Sequence, residues 1–473
     1  MQDEPRWESS SQSPQQPCPR AEGRLTARLS RRQLIGTALA VPTAAWLAGC
    51  VDSEPDGKDS YRGERTVDSE PPGGGYRNWR DVRALFDLDP NVQHLSAFIL
   101  APHPQPVRQA IEEHRRGLDR DPQGYFHATE GRIEDVTSAA AEHLGTDPDL
   151  VALTDSTTMG LGVLIGGMRF EAGDEILMTE HDHFVANETV RHAASRSGAK
   201  VRKVALYPPD APEQATTAGI LSALREGITE RTRLVLVTWV HSATGVRLPL
   251  PEIAEVVAQA NARRVDDKRA MLVVDGVHGF GGGPTAIDEL GCDGFVSGCH
   301  KWLLGPRGTG IAWARPELWK RVTPTISSFD SRLFDAWIEG ETPTAPAGVT
   351  FTPGGYHSFE HRWALKEAFD LHAAIGADQI ASRVAELSAQ LRDGLAGLPG
   401  VRVHAPAEER LRSGVVTFSL DDLDPYDTVE RLTDDHRVTA TVTPYAVPFA
   451  RLGTCWLNTE AEVDAAVRAV RAL

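Results

Sequence analysis

The chain has 473 residues, 41% of them hydrophobic and 24% charged, enough for a large domain with a real core and a smaller domain beside it. Lys and Arg number 49 against 66 Asp and Glu, and the net charge of −17 argues against general binding of nucleic acid or anionic lipid, leaving a small-molecule enzyme as the expectation. The five cysteines (Cys18, Cys50, Cys292, Cys299, Cys455) form neither CxxC pairs nor a disulfide framework, so zinc and thioredoxin-like readings find no support.

The chain opens with a segment that reads as an address. Residues 1–29 are polar, and Ser30-Arg31-Arg32-Gln33-Leu34-Ile35 is a twin-arginine pattern. The apolar stretch from Leu34 to Ala48 is broken by Pro42 and is shorter than the about 20 residues a membrane helix needs, so it suits a signal h-region. It ends in Leu47-Ala48-Gly49-Cys50, which resembles a bacterial lipobox. Cleavage there would leave a diacylated Cys50 and stable anchoring. The expectation is a cell-envelope lipoprotein exported by the twin-arginine route, touching the membrane only through its lipid. The alternative is an apolar helix in a cytoplasmic protein. Residues 51–80 read as a flexible linker, with Val51-Asp52-Ser53-Glu54-Pro55 recurring as Val67-Asp68-Ser69-Glu70-Pro71 before three glycines.

From about Arg83 the pattern is globular. Apolar periodicity predicts helices over Pro106–Leu118 and Ile133–Leu144. Strands are predicted at Leu150–Leu153, Glu175–Met178, Val201–Ala205, Leu234–Trp239, Met271–Val274, Gly294–Val296 and Gly310–Ala314. Helices at Thr158–Met168, Ala186–Ser197, Ile220–Ile228 and Leu250–Asn261 alternate with them. Such alternation predicts an α/β domain with a mainly parallel sheet, whose ligands sit beyond the carboxyl ends of the strands. The residues after each run are therefore the candidates: Thr154–Thr158, Glu180–Phe184, His241-Ser242, Asp275–His278 and Ser297–Lys301.

Each candidate has a functional and a structural reading. Ser156-Thr157-Thr158 could cradle a phosphate at a helix N-terminus or simply cap the helix. Asp275 ends a buried apolar run; it suits a carboxylate that keeps the pyridine nitrogen of pyridoxal 5'-phosphate (PLP) protonated, or a turn residue. His278 could touch the cofactor's ring oxygen or pack at the turn. Lys301, between an apolar triplet and Gly305-Pro306-Arg307-Gly308, suits a desolvated amine able to form an imine, or a surface lysine. His181-Asp182-His183 lacks further ligands for a metal and fits a turn better. Gly281-Gly282-Gly283 is a loop without the helix that a dinucleotide fingerprint requires.

Asp275-Gly276-Val277-His278, then His300-Lys301-Trp302-Leu303-Leu304-Gly305-Pro306-Arg307-Gly308-Thr309-Gly310, resembles the class V aminotransferase family of fold-type I PLP enzymes. The likeness runs from about His94 to the C-terminus and is nearest to the isopenicillin N epimerase-like branch. It is also carried by Leu100–Pro104, Thr238–Gly245, Pro353–Arg362, Arg451 and Leu457–Glu460. The resemblance implies a homodimeric PLP enzyme with a large domain (81–358, including an N-terminal segment) and a smaller C-terminal α+β domain (359–473). It implies Lys301 as the Schiff-base lysine, Asp275 on the ring nitrogen and His278 near the ring oxygen. Thr157, Thr158 and His300 would hold the phosphate, Gly354-Gly355 a phosphate of the neighbouring subunit, and Phe184 would stack on the ring. Arg451 would hold the carboxylate of an amino-acid-type substrate. Cys299 and Gly355 stand where relatives carry hydroxyl residues, and Ser242, counted with the cofactor contacts, stands where desulfurases have Asn.

The stretch from Thr439 to Ala450 contains no cysteine, and Cys455 follows Arg451, which argues against the persulfide chemistry of cysteine desulfurases. Epimerisation or transamination at Cα is the expected reaction. A β-elimination lyase and a non-catalytic envelope protein are the alternatives. Epimerisation needs a second proton carrier, for which His183 and His103 are candidates. Side-chain specificity is expected from loops such as 323–352.

Overall fold

A computed structural model describes residues 76, 78–128 and 131–473. The twin-arginine pattern, the lipobox with Cys50 and the linker up to residue 75 lie outside the described residues. The end of the stretch read as linker is already structured. A helix spans Trp79–Arg83, and the Asn78 side chain caps it by accepting from the Asp81 N–H at 2.9 Å.

Seven strands form one sheet: β1 (Val151–Thr154), β2 (Glu175–Thr179), β3 (Lys200–Val204), β4 (Thr232–Thr238), β5 (Met271–Asp275), β6 (Gly294–Gly298) and β7 (Gly310–Ala314). Each predicted run lies within a residue or two of one of them. The order is β1-β7-β6-β5-β4-β2-β3. Strands β3, β2, β4, β5 and β6 pair in parallel, whereas β7 is antiparallel to both β6 and β1. The cause is the connection: residues 299–309 hold no helix, so the chain turns back beside β6 instead of crossing over.

The central strands read as unbroken apolar runs because helices cover both faces. In β5, Leu272 and Val274 join the core on one face with Val235, Val237 and Phe295; Met271 and Val273 join the core on the other with Leu234, Leu236 and Val296. The free edge, β3, is different: Lys200, Val201, Arg202 and Lys203 are exposed, and such charges discourage strand addition.

A second sheet contains β8 (Val401–Val403), β9 (Val415–Leu420), β10 (Thr441–Val442) and β11 (Ala450–Gly453), in the order β10-β11-β9-β8, with every neighbouring pair antiparallel. Leu387, Leu391 and Leu395 of helix Ala377–Ala396, and Val463, Ala466 and Val470 of helix Glu460–Arg471, pack on Val416, Phe418 and Leu452. A capping box, Thr459 with Glu462, starts the last helix. Val82, Phe86 and Phe98 pack with Leu371, Ile380 and Trp456. The Gly453 N–H donates to the Leu95 carbonyl at 2.7 Å, tying this segment to β11.

Two local devices shape the ends of β5 and β6. A Cβ at position 276 would lie 2.1 Å from Cζ of Phe295, so the residue after Asp275 must be glycine for β5 to leave the sheet against β6. After Lys301 the chain closes a tight turn, with the Leu304 N–H donating to the Lys301 carbonyl (3.0 Å) and the Gly305 N–H to the Cys299 carbonyl (2.8 Å). Leu304 takes a left-handed conformation (φ 57°), which costs a non-glycine residue about 1–2 kcal/mol. Its side chain is fully buried, and that burial, worth about 1.5–3 kcal/mol, offsets the strain.

Candidate active site

Four strand ends meet along the carboxyl edge. Lys301 follows β6, Asp275 closes β5, Ser242 follows β4 and Asp182 follows β2; this is also their order across the sheet.

Asp275 is 2% exposed. Its Oδ1 accepts from the Val277 N–H at 3.1 Å. Burial pushes its carboxyl above the usual carboxylate range, while the Val277 N–H and the Lys301 charge pull it back. Burial pushes the Lys301 amine down; Asp275 resists this and Arg451 reinforces it. Desolvation thus drives each member toward its neutral form, and each charge restrains the other.

The Lys301 Nζ lies 3.3 Å from Nε2 of His278. Trp302, whose indole can only donate, directs Nε1–H at Nδ1 of the same ring at 3.5 Å. The hydrogen-bond network therefore assigns the imidazole proton to Nε2, facing Lys301. Burial, with Lys301 and Arg451 nearby, holds His278 well below the usual histidine range. A neutral ring donating from Nε2 needs an acceptor, and an uncharged lysine amine is one.

Arg451, on β11, is 2% exposed. Its Nε donates to Thr441 Oγ1 at 2.9 Å, and its Nη1 donates to the Ser242 carbonyl. The guanidinium lies 4.7 Å from the Phe98 ring centroid, a cation–π support from beneath. Burial lowers it to about 10. Among the described residues no carboxylate pairs with Arg451, which leaves this buried cation poised for an incoming anion.

A cradle stands at the start of the helix Thr157–Gly167. The Ser156 side chain caps that helix by accepting from the Met159 N–H, leaving the Thr157 and Thr158 N–H groups in the open first turn. Thr157 Oγ1 accepts from the Gly298 N–H at 2.8 Å, so its own hydroxyl proton is free to donate. A Cβ at Gly298 would lie 2.9 Å from His300 Cε1 and 3.2 Å from Thr157 Oγ1. The absent side chain keeps that space open. His300 is lowered to about 4 by burial, then by Lys301 and Arg307, so it is neutral and can donate. The Thr158 side chain is exposed. Asp155 fastens the preceding loop, accepting from Arg362 Nη2 at 2.8 Å and facing His357 Nδ1 at 3.5 Å.

The structure thus gathers Lys301, Asp275, His278, Ser242 and Arg451 in one cluster, with Thr157, Thr158 and His300 beside it. Gly354 and Gly355 lie elsewhere in the chain, lining a pocket of about 550 Å³ with Phe329, Tyr356 and Arg362. The Gly354 N–H is already committed to the Ser327 carbonyl at 2.8 Å.

The ring stack expected of Phe184 does not fit this geometry. Phe184 begins a helix with its side chain 69% exposed. His183, one residue earlier, turns toward the cluster: burial lowers it, with Lys301 and Arg451 adding to the shift, and its ring lies 6.4 Å from that of Tyr445. His181 is occupied in structure, stacked at 3.9 Å on Tyr207 with Nε2 accepting from the Leu206 N–H. No group of three or more metal-binding side chains occurs among the described residues.

Three contributors had no role in the site assigned from the sequence, although Asp182 stood among the candidates after β2. Asp182 is fully buried and accepts from Thr179 N–H (2.6 Å), Thr238 N–H (2.9 Å) and Thr238 Oγ1 (2.7 Å), locking the turn after β2 to β4. Its signal was weaker than that of Asp275, since Glu180 and His181 separate it from the end of β2. Phe98 and Tyr445 carried no local signal.

A buried carboxylate, a desolvated amine and an open cradle of N–H and O–H donors fit the ring nitrogen, aldehyde and phosphate of PLP. The model of the family described as "Aminotransferase class-V" matches residues 101–465. Isopenicillin N epimerase of Streptomyces clavuligerus is 27% identical over 407 residues, covering 84% of this chain and 98% of that protein. A cysteine desulfurase of Klebsiella pneumoniae is 27% identical over 351 residues, covering 70% and 80% respectively. Among solved structures, a C-DES mutant with glycine covalently linked to its PLP cofactor matches with a TM-score of 0.74. That match has 22% identity and covers 82% of this chain and 98% of that one, a likeness of fold.

The Lys301 shift has a testable sign. Only the uncharged amine attacks an aldehyde, so a lowered lysine captures PLP at lower pH. Capture by cofactor-free protein, followed by absorbance near about 420 nm, should rise with a midpoint below the ~10.4 of a free lysine. Arg451→Gln removes a positive charge that depresses the amine and should move that midpoint up by roughly 1 pH unit. An unmoved midpoint contradicts the assignment.

Proposed function

The chain belongs to the aminotransferase class-V family and its cofactor is pyridoxal 5'-phosphate, and from this we propose that it is an isopenicillin N epimerase-like enzyme. Its reaction is inversion at the Cα of an amino acid or amino-acid-derived compound. The observation that carries the reading is the buried Arg451, which pairs with no carboxylate among the described residues and is held by the Ser242 carbonyl within reach of the Lys301 charge. That arrangement fixes a substrate carboxylate and leaves Cα between proton-carrying groups.

When bound, PLP supplies an electron sink that weakens the bonds of Cα. Asp275 would hold the ring nitrogen, His278 would donate to the ring oxygen, and Thr157, Thr158 and His300 would hold the phosphate. Arg451 would clamp the carboxylate through its planar fork. Its Nε and one Nη are already engaged, which fixes the orientation of the fork. Lys301, whose amine is favoured in its uncharged form, accepts the Cα proton on one face. Asp182 acts at a distance by locking the turn that carries His183.

Persulfide chemistry lacks its nucleophile among the described residues. Cys292, Cys299 and Cys455 are all buried, and burial pushes the Cys292 and Cys455 thiols up to about 12 and Cys299 higher still.

We also propose export of the folded holoenzyme and lipid attachment at Cys50, supported by the order of the twin-arginine pattern, apolar stretch and lipobox in the sequence. The twin-arginine route carries folded proteins, which suits an enzyme that captures its cofactor before export. Cys50→Ala should shift the protein from the membrane fraction to the soluble fraction; equal partition of both forms counts against lipidation.

The reaction is tested by incubating holoenzyme in D2O with isopenicillin N and with pooled L-amino acids, with and without a keto acid. The expected result is Cα deuterium in product of inverted configuration without a keto acid. Amino transfer to the keto acid, or pyruvate release, would replace the epimerase reading.

A further inference from the structure

Inversion requires a proton carrier on each side of Cα, and Lys301 accounts for one. We propose that the phenol of Tyr445 is the catalytic acid on the other side; this rests on the epimerase reading above.

Tyr445 belongs to the loop between β10 and β11. The loop is fastened at its base by two hydrogen bonds: the Thr443 N–H donates to the Phe449 carbonyl at 3.0 Å, and the Phe449 N–H donates to Thr443 Oγ1 at 2.9 Å. Pro444 and Pro448 stiffen it. Pro444 and Ala446 are exposed, yet the tyrosine between them is turned inward. Its hydroxyl meets Ser242 Oγ at 2.6 Å, and the carbonyl of that serine accepts from Arg451 Nη1. The phenol is thereby held beside the carboxylate-binding guanidinium.

Its side of the site follows from the strand order. Lys301 reaches Asp275 from β6. Ser242, which holds Tyr445, lies on the chain after β4, the strand on the other side of β5. Arg451, Asp182 and Asp275 are the charges that face the phenol, whereas Lys301 faces Asp275 and Arg451 and not the phenol. Burial keeps the phenol protonated, so it stands ready as a donor. The rival is His183. Its Nδ1 is engaged in accepting from the Val185 N–H at 3.3 Å, which leaves only Nε2 to carry a proton, and burial first of all lowers the ring.

The step balances. The Cα–H bond breaks as Lys301 Nζ takes the proton, and the electron pair stays with the substrate. A new C–H bond forms to that pair from the opposite side as the Tyr445 O–H bond breaks. Solvent restores the phenol through the Ser242 hydroxyl and accepts the proton from Lys301. Nothing is oxidised or reduced.

The test compares wild-type and Tyr445→Phe holoenzymes in D2O with isopenicillin N and pooled L-amino acids. It follows Cα exchange in recovered L-substrate, formation of inverted product, and glycine binding read from the cofactor's absorbance. Tyr445→Phe should keep exchange and glycine affinity within about threefold of wild type while inversion falls at least about 100-fold, the usual scale of general acid catalysis. Parallel loss of exchange and glycine affinity would mean that Tyr445 only positions Arg451, and would overturn the proposal. Inversion that survives in Tyr445→Phe and disappears in His183→Gln would overturn it in favour of the histidine. A wild type that neither exchanges nor inverts any of these compounds would overturn the epimerase reading itself, and the proposal with it.

Discussion

The site depends on removing water from one lysine amine. In solvent the Lys301 amine would be charged and inert; at the edge of a buried sheet, with Arg451 nearby, charging it costs more. Asp275 works in the opposite direction, so the pair is balanced instead of locked as a full ion pair. Much of the surrounding architecture maintains that balance. Trp302 turns the His278 proton toward the amine, and Leu304 accepts a strained backbone so that the turn after Lys301 can close.

The two sheets divide the labour. The large sheet supplies the amine, a buried carboxylate suited to a ring nitrogen and the donors suited to a phosphate. The smaller sheet and its β10–β11 loop supply Arg451 and Tyr445, the groups proposed to meet the substrate. Ser242 joins them, since its carbonyl accepts from one and its hydroxyl meets the other. A substrate bound here would be held by groups from both sheets, so a small shift between the sheets would change catalysis more than cofactor retention.

The fold was legible where burial on both faces left an uninterrupted apolar run, as at Met271–Val274. The direction of β7 was not, because apolar content carries no polarity; only the helix-free link from 299 to 309 hinted at it. Among site residues, Asp275 was legible because it directly follows a buried run, and Lys301 because an apolar triplet and a glycine-rich turn follow it. Phe184 and His183 sit at a strand-to-helix turn, where a one-residue difference in register decides which side chain faces inward, and apolar character alone does not settle it. Phe98 and Tyr445 were illegible for another reason. Tyr445 meets Ser242 across 203 positions of sequence, and Phe98 meets Arg451 across the two ends of the chain, so neither has a local pattern.

The account stands on one covalent attachment point. Holoenzyme reduced with borohydride, digested and mapped by mass spectrometry reports it directly. The pyridoxyl group is expected on Lys301 and on no other lysine. An adduct at a different position, or none in protein saturated with PLP, would contradict the assignment of the amine and the site built around it.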